Sequence, residues 1–283
     1  MKKIAIVSTK GGVGKTTATA QIALAFHRAG FKVGALDLDS SSPTLHLAFG
    51  LAEAPPWGLD TENSRILPSK LANGIELATM ASFWGANNRV SWRGTDKGDL
   101  TRQMLSGMVG WSPGLDFLCI DSPPSMSEEI FVLAADKSIT GYVIITQPQP
   151  MSIADIERLT NFCRAERLPV FGIVSNFDGC VLPNGNLYYP FLGGHIDVKQ
   201  WAEAHQVPFL CQVPQVANPL DLEIVYTALA GRLATGTPVK LPNREGIKAL
   251  KRGAIKILME DENADIERTL DRAVNPGGTQ NPG

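Results

Sequence analysis

The sequence predicts an α/β fold in which a doubly wound, mostly parallel sheet is flanked by helices. Short apolar runs alternate with helical patterns along most of the chain, which indicates repeated strand–helix units. The runs are apolar at nearly every position, as expected of strands buried on both faces of a parallel sheet. A glycine-rich loop separates the first apolar run from the first helical stretch, which predicts a ligand site at the carboxyl ends of the strands.

The same alternation places the individual elements. Strands are predicted at residues 3–8, 32–37, 75–80, 115–121, 140–146, 170–176 and 208–212. Helices are predicted at residues 15–29, 95–109, 127–135, 152–166, 196–205 and 219–232. Residues 50–74 and 177–194 are rich in Pro, Gly and Asn, and we predict that they form long loops.

The composition is that of an ordinary globular protein. The chain has 283 residues, of which 44% are hydrophobic and 19% charged, and this is ample for one large core. No linker, repeat or low-complexity tract interrupts its middle. We therefore predict one α/β domain over residues 1–240, a helical extension over 241–274 and a disordered tail over 275–283.

Charge and hydropathy exclude some classes of protein. A net charge of −2 does not indicate a uniformly basic, nucleic-acid-binding surface. The apolar run near the amino terminus is too short for a signal-peptide core, and no run approaches the length of a transmembrane helix. We expect a cytoplasmic protein, whose scattered cysteines form no disulfides.

Residues 9–17, of sequence TKGGVGKTT, form a phosphate-binding loop between a strand and a helix. Its glycines let backbone N–H groups converge on phosphate oxygens, and the helix N-terminus adds its positive dipole end. Lys15 is predicted to reach the β- and γ-phosphates, and Thr16 to hold Mg²⁺ through its hydroxyl. The predicted nucleotide-binding residues of the loop are Gly11, Gly12, Val13, Gly14, Lys15, Thr16 and Thr17.

An additional lysine, Lys10, restricts the resemblance of this loop to one family of P-loop proteins. Residues 10–16 resemble the deviant Walker A motif of the ParA/MinD/Mrp P-loop ATPases. The resemblance implies a Mg²⁺-dependent ATPase in which two subunits sandwich two ATP molecules. It also implies that Lys10 of one subunit reaches the phosphates bound by the other, where a cation does the work of an arginine finger.

Three aspartates follow predicted strands. Asp37 and Asp39 end the second strand, and Asp121 ends a run that resembles a Walker B strand. The resemblance implies that Asp39 orients the attacking water, and that Asp37 and Asp121 support Mg²⁺. Taken alone, Asp37 and Asp39 fit equally well as turn residues that cap the following segment. Glu128 and Glu129 are interpreted as first-turn helix charges that the helix dipole favours.

Further segments resemble the Mrp/ApbC branch of this family. They are Asp-Ser-Pro-Pro at 121–124, Ser-Trp-Arg-Gly at 91–94 and Thr-Gln-Pro-Gln at 146–149. The resemblance implies that Asn176 binds the adenine edge, since an amide offers both a donor and an acceptor. A turn-capping role for Asn176 is the alternative. Pro214 is predicted to form the other wall of the base pocket.

One feature departs from that branch. Mrp/ApbC proteins carry a Cys-x-x-Cys pair that binds a bridging iron–sulfur cluster, whereas here Cys180 is followed by Pro183 in place of the second cysteine. A dimer would then present two thiolates to a cluster that requires four ligands. We therefore expect that an iron–sulfur cluster is not a partner of this protein.

The biological role stays open between two alternatives. An Mrp/ApbC-like ATPase would couple slow hydrolysis to the binding of a protein partner or cargo. A ParA/MinD-like ATPase would instead use ATP-driven dimerisation to bind the nucleoid or a membrane. Residues 240–256 are basic and amphipathic, so DNA or an anionic membrane is a candidate partner. We favour a helix packed on the sheet for this segment.

Overall fold

The computed structural model describes residues 1–84, 94–124, 127–182, 184–190, 194–216 and 219–242. The strands of the main sheet are β1 (Lys2–Val7), β2 (Val33–Asp37), β5 (Ser69–Lys70), β6 (Glu76–Thr79), β7 (Phe117–Asp121), β8 (Ile139–Thr146), β9 (Pro169–Val181), β10 (Leu187–Tyr188), β11 (Phe209–Gln215) and β12 (Val239–Lys240). A separate hairpin consists of β3 (Gly58–Asp60) and β4 (Arg65–Leu67).

Helices connect the strands. They are α1 (Lys15–Arg28), α2 (Leu45–Ala48), α3 (Ala81–Trp84), α4 (Gly94–Gln103), α5 (Glu128–Ala135), α6 (Pro150–Ala165), α7 (Val198–Ala204) and α8 (Glu223–Thr235). A π-helical turn, Met104–Met108, extends α4, and a 3₁₀ turn, Pro219–Leu222, precedes α8. Within the described residues, no helix combines the length and the apolar character needed to cross a bilayer.

The sheet is mostly parallel, and its order brings the predicted site together. Its strands follow the order β10-β9-β8-β1-β7-β2-β6-β5, and β11 and β12 also pair with β9. Strands β1, β2, β6, β7, β8, β9 and β11 pair in parallel. The strand β1, which leads into the phosphate-binding loop, lies between β7 and β8. The loops that follow these strands therefore meet at one edge, as the fold class predicts.

Two apolar layers cover the two faces of the sheet. One contains Phe26 of α1, which stacks on Phe117 of β7 with ring centroids 4.0 Å apart. The other contains Met104 of the π-helical turn and Leu159 of α6. Because both faces are covered, alternate residues of β1 point into different layers and all four of its last residues are buried. This explains why the strands read as continuous apolar runs.

Two predicted loops contain regular structure. The segment 50–74 includes the β3–β4 hairpin and the short strand β5, so the prediction of one long loop is wrong there. The segment 177–194 begins as the continuation of β9, which runs five residues beyond Asn176 to Val181 and returns through β10. The predicted extension, 241–274, and the tail, 275–283, lie outside the described residues except for Leu241 and Pro242.

Candidate nucleotide site

The phosphate-binding loop closes on the end of β9. Gly14 adopts a left-handed φ of 83°, and a Cβ added there would lie 2.2 Å from Nδ2 of Asn176. The same Nδ2 donates a hydrogen bond of 2.7 Å to the carbonyl of Val13. Glycine is therefore required at position 14 by both backbone conformation and space. The amide of Asn176, predicted to meet the adenine edge, also fastens the loop.

Lys15 and Thr16 both contact the carboxylate at the end of β7. Asp121 Oδ1 lies 3.1 Å from Lys15 Nζ, and Thr16 donates a hydrogen bond of 2.6 Å to Asp121 Oδ2. Asp121 has no exposed surface, and Lys15 is 6% exposed. Burial raises the pKa of Asp121, while the charge of Lys15 and the hydroxyl of Thr16 oppose that rise. The structure thus brings together three of the predicted site residues.

Sequence reasoning missed a fourth member of this cluster, Thr19. Its hydroxyl lies within hydrogen-bond distance of Asp121 Oδ1, at 3.3 Å, and of the Lys15 carbonyl, at 3.0 Å. Thr19 follows Lys15 by four positions and therefore lies on the same face of α1. That spacing was the available signal, because a polar residue inside an otherwise apolar helix face needs a buried partner.

Asp37 lies beside Asp121 and is fully buried. The two residues are in register on the neighbouring strands β2 and β7. Asp37 Oδ2 accepts hydrogen bonds from the backbone amide of Leu45, at 3.1 Å, and from the hydroxyl of Thr79, at 2.9 Å. Its Oδ1 accepts one from the amide of Asp39. Burial, followed by the charge of Asp121, raises the pKa of Asp37 to about 7.

Asp39 is partly exposed and caps the turn that follows it. Its Oδ1 accepts hydrogen bonds of 3.0 Å from the amides of Ser41 and Ser42. Its charge is also among the influences that raise the pKa of Asp121, after burial, so the two carboxylates share one edge of the sheet. Turn capping was the alternative role for Asp37 and Asp39, and both carboxylates do accept hydrogen bonds from backbone amides of the following segment. The remaining roles of these residues stay predictions.

Lys10 lies at the entry to the loop and is half-buried. Among the described residues its ammonium has no hydrogen-bond or ion-pair partner, whereas its carbonyl accepts a bond from the Ser8 hydroxyl. Gln147, from the segment after β8, donates a hydrogen bond of 3.2 Å to the Gly12 carbonyl. Pro214 follows Val213, which pairs with Asn176, so it lies at this same edge. Trp92 and Arg93 lie outside the described residues.

The donor set fits a nucleotide with Mg²⁺. A threonine hydroxyl and a carboxylate are oxygen donors of the kind that Mg²⁺ prefers, and here they lie beside a lysine and a glycine loop at a helix N-terminus. Thr16 and Asp121 would hold the ion, and Lys15 would face the phosphates.

The extended end of β9 carries a different group of polar side chains. The thiol of Cys180 donates a hydrogen bond of 3.3 Å to Gln215 Oε1. Nε2 of His195 lies 2.7 Å from Asp178 Oδ1, and Gln212 donates to Asp178 Oδ2. Within the described ranges no three His, Cys, Asp or Glu side chains are grouped so as to hold a metal ion.

Proteins similar in sequence carry names from iron–sulfur chemistry. The cytosolic Fe–S cluster assembly factor CFD1 of Chaetomium globosum is 32% identical over 250 residues, covering 83% of this chain and 80% of that protein. An iron–sulfur cluster carrier protein of Rickettsia conorii is 31% identical over 233 residues, covering 81% of this chain and 67% of that protein.

Solved structures share the fold. A nucleotide-binding protein from Archaeoglobus fulgidus, in complex with ADP, has a TM-score of 0.62 and 26% identity, covering 86% of this chain and 92% of that chain. The septum site-determining protein MinD from Pyrococcus horikoshii, complexed with Mg-ADP, has a TM-score of 0.59 and 21% identity, covering 83% and 96%. The MinD likeness shows the fold alone.

The expectation that an iron–sulfur cluster is not a partner is wrong, because relatives that align over most of this chain are named as cluster assembly factors and carriers. That expectation assumed four thiolates from two copies of one loop. Pro183, which itself lies outside the described residues, removes a cysteine but does not exclude other ligands. Histidine also ligates some clusters, and a ligand set need not come from one loop.

A family match extends over nearly the whole of the described part of the chain. Residues 1–239 match the ParA family described as NUBPL iron-transfer P-loop NTPase. The match confirms the resemblance inferred from the loop at residues 10–16, and the solved structures confirm the doubly wound, mostly parallel fold. The chain belongs to the NUBPL iron-transfer P-loop NTPases of the ParA family.

Proposed function

We propose that this protein is a Mg²⁺-dependent ATPase that acts as an ATP-sandwich homodimer in the assembly or transfer of iron–sulfur clusters. The observation that carries the ATPase proposal is the contact of Lys15 and Thr16 with the buried carboxylate of Asp121. The cluster part rests on the family and on the names of the relatives. Because several relatives are named cytosolic, we propose the same compartment.

Each side chain of the site has a task in this proposal. Lys15 leaves Asp121 for the β- and γ-phosphates when nucleotide enters, and the amides of residues 11–17 bind the phosphate oxygens. Mg²⁺, held by Thr16 and Asp121, would neutralise the charge that develops on the phosphates. Asp39 orients the attacking water, and Asp37 supports the ion site from the neighbouring strand. Asn176 and Pro214 flank the base.

The ammonium of Lys10 supports the dimer. A half-buried cation that has no partner among the described residues of its own subunit is available to a ligand that arrives from outside. In the sandwich dimer that ligand is the phosphate group bound by the second subunit. Lys10 would then stabilise the transferring phosphoryl group across the interface.

Cys180 is the thiol best suited to the cluster, which is the cargo of this proposal. Burial raises the pKa of Cys163 and Cys211 to about 12, and burial raises that of Cys119 further. Those thiols would stay protonated near neutral pH, and a protonated thiol is a poor ligand. Cys180 and Cys211 are both partly exposed, and of these two Cys180 lies at the outer part of β9, the position compared above with the cluster cysteines of the Mrp/ApbC branch.

The ATPase proposal is tested by measuring phosphate release. The purified protein should hydrolyse ATP with Mg²⁺ and lose activity with EDTA. Lys15→Ala should abolish hydrolysis because it removes the ammonium group that binds the β- and γ-phosphates. Lys70→Ala changes an exposed lysine at the far edge of the sheet and should leave the rate unchanged. Wild-type protein that neither binds nor hydrolyses ATP would contradict the proposal.

The cargo proposal is tested by anaerobic reconstitution with iron and sulfide. Bound iron and the visible absorbance of a cluster should appear in the wild-type protein and fall strongly in Cys180→Ser. Cys163→Ser changes a buried thiol and should retain the iron. Equal iron in Cys180→Ser and wild type would remove Cys180 from the cargo site, while the ATPase assay remains independent of this result.

The positioning alternative receives no specific support. The likeness to MinD shows the fold alone at its level of identity. The basic segment 240–256, the candidate surface for DNA or an anionic membrane, lies outside the described residues apart from 240–242.

A further inference from the structure

A buried hydrogen bond joins the turn that carries Asp39 to the start of helix α5. The hydroxyl of Ser40 donates to Glu129 Oε1 at 2.9 Å. Ser40 is 7% exposed and Glu129 is 3% exposed, so water competes little for either group. The helix dipole accounts for a negative charge at Glu129 in the first turn of α5 but does not account for its burial.

The neighbouring glutamate shows the contrast. Glu128 lies in the same turn of α5 and is exposed to solvent. A carboxylate buried at Glu129 costs desolvation free energy unless it is hydrogen-bonded. The N-terminus of α5 favours a negative charge, and the Ser40 hydroxyl satisfies one of its oxygens. Glu129 is therefore a buried acceptor aimed at one specific hydroxyl.

The Ser40 end of this bond fixes the turn of Asp39. Asp39 directly precedes Ser40, and its carboxylate caps the amides of Ser41 and Ser42. The hydroxyl of Ser41 accepts a hydrogen bond of 2.7 Å from Lys97 of α4. The position of the Asp39 carboxylate therefore depends on contacts from two helices, of which the contact from α5 is buried.

The Glu129 end is connected to the phosphate site. Helix α5 follows β7, whose last residue is Asp121, and Asp121 contacts Lys15 and Thr16. The bond from Ser40 to Glu129 therefore joins the turn of Asp39 to the helix that follows Asp121 in the sequence.

We infer that Glu129 is a positioning residue for ATP hydrolysis, which through Ser40 holds the Asp39 carboxylate in place and ties it to the Asp121 side of the site. This inference rests on the proposed ATPase function. A water-orienting carboxylate displaced by about 1 Å can lose up to roughly 10²-fold in rate. The contact should therefore affect kcat much more than nucleotide binding.

The test compares steady-state ATP hydrolysis and ATP binding across four single variants. Glu129→Ala and Ser40→Ala should each lower kcat about 10- to 100-fold, with KM for ATP and the dissociation constant within about threefold of wild type. Glu129→Gln retains an acceptor oxygen for Ser40 and should restore most of kcat. Glu128→Ala removes the same charge from the exposed neighbour and should behave as wild type.

The double variant Ser40→Ala with Glu129→Ala should be no slower than the slower single variant, because both remove one contact. Thermal melts check that each variant is folded. If Glu129→Ala does not fold, the kcat of Ser40→Ala alone tests the role of the contact. An unchanged kcat in Ser40→Ala, additive losses in the double variant, or no rescue by Glu129→Gln would overturn the inference. Wild-type protein without ATPase activity would instead contradict the proposed function.

Discussion

The carboxylate of Asp37 is fully buried, and its oxygens accept hydrogen bonds from two backbone amides and the hydroxyl of Thr79. These bonds stabilise the charged form, but burial and the nearby charge of Asp121 outweigh them and raise the pKa to about 7. The residue is therefore half protonated near neutral pH. Its bond to Leu45 also caps the start of α2, so its charge and the local backbone are connected.

This pKa predicts how stability depends on pH. Between about pH 4 and pH 7 the folded state keeps a proton on Asp37 that the unfolded chain has released, so the free energy of unfolding falls as pH rises. Asp37→Asn lacks this contribution. Its stability deficit relative to wild type should therefore shrink between pH 5 and pH 8 in denaturant titrations.

Asp99→Asn is the control, because Asp99 is exposed. It should keep the wild-type dependence on pH. A stability deficit of Asp37→Asn that stays constant from pH 5 to pH 8 would contradict the raised pKa.

At the scale of elements, the phosphate-binding loop depends on β9 for its conformation. Asn176, near the middle of β9, donates to the Val13 carbonyl and lies against Gly14, while Gln147 after β8 donates to Gly12. Two neighbouring strands thus fasten a loop that has few side chains of its own. A loop whose conformation is already fixed before binding loses less conformational entropy when phosphate binds.

Two glycines of this loop, Gly14 and Gly11, should respond differently to a methyl group. Gly14→Ala forces a side chain into a left-handed backbone and against Asn176, and it should lower Tm by roughly 2–10 °C and weaken ATP binding. Gly11→Ala meets no atom closer than 4.0 Å and should keep the Tm of wild type. Calorimetry on both variants checks this, and equal Tm values would show that β9 does not constrain the loop.

At the scale of the whole molecule, the proposed dimer distributes one active site over two chains. Lys10 would act on the phosphates of the partner, whereas Asp39 would act within its own subunit. Each variant alone, Lys10→Ala or Asp39→Ala, should bind ATP and lose hydrolysis, with a rate loss of about 10³–10⁵-fold for Lys10→Ala. In size-exclusion chromatography with ATP, Asp39→Ala should accumulate as a dimer.

Mixing the two inactive variants separates action across the interface from action within a subunit. A mixed dimer would hold one complete site, with Asp39 from the Lys10→Ala chain and Lys10 from the other. Equal mixing before ATP is added should restore about a quarter of the wild-type rate, because half of the dimers are mixed and each has one working site. No recovery above the separate variants would contradict the action of Lys10 in trans.

Several features were predictable because they depend on local chemistry. The alternation of apolar runs and helical patterns predicted the parallel sheet to within a few residues at most strand ends, since burial on both faces requires continuous apolar strands. The loop at residues 10–16 was sufficient to indicate the family that the comparison confirms. The cysteine pattern led to the wrong prediction about an iron–sulfur cluster, because a missing ligand in one loop does not show that a protein binds no cluster.

Which side chains meet depends on how distant elements of the fold pack together. Asp121 is separated from Lys15 by more than a hundred positions, and β1 and β7 bring them to 3.1 Å because they are neighbours in the sheet. β9 continues past Asn176 because β10 and β11 pair with its far end, a contact that no local pattern predicts. The burial of Glu129 against Ser40 likewise arises where α5 packs beside the Asp39 turn. The elements and the loop chemistry could be predicted because they follow from periodicity and residue type, which are local. The contacts of the site could not, because they depend on pairing between elements that are distant in the chain.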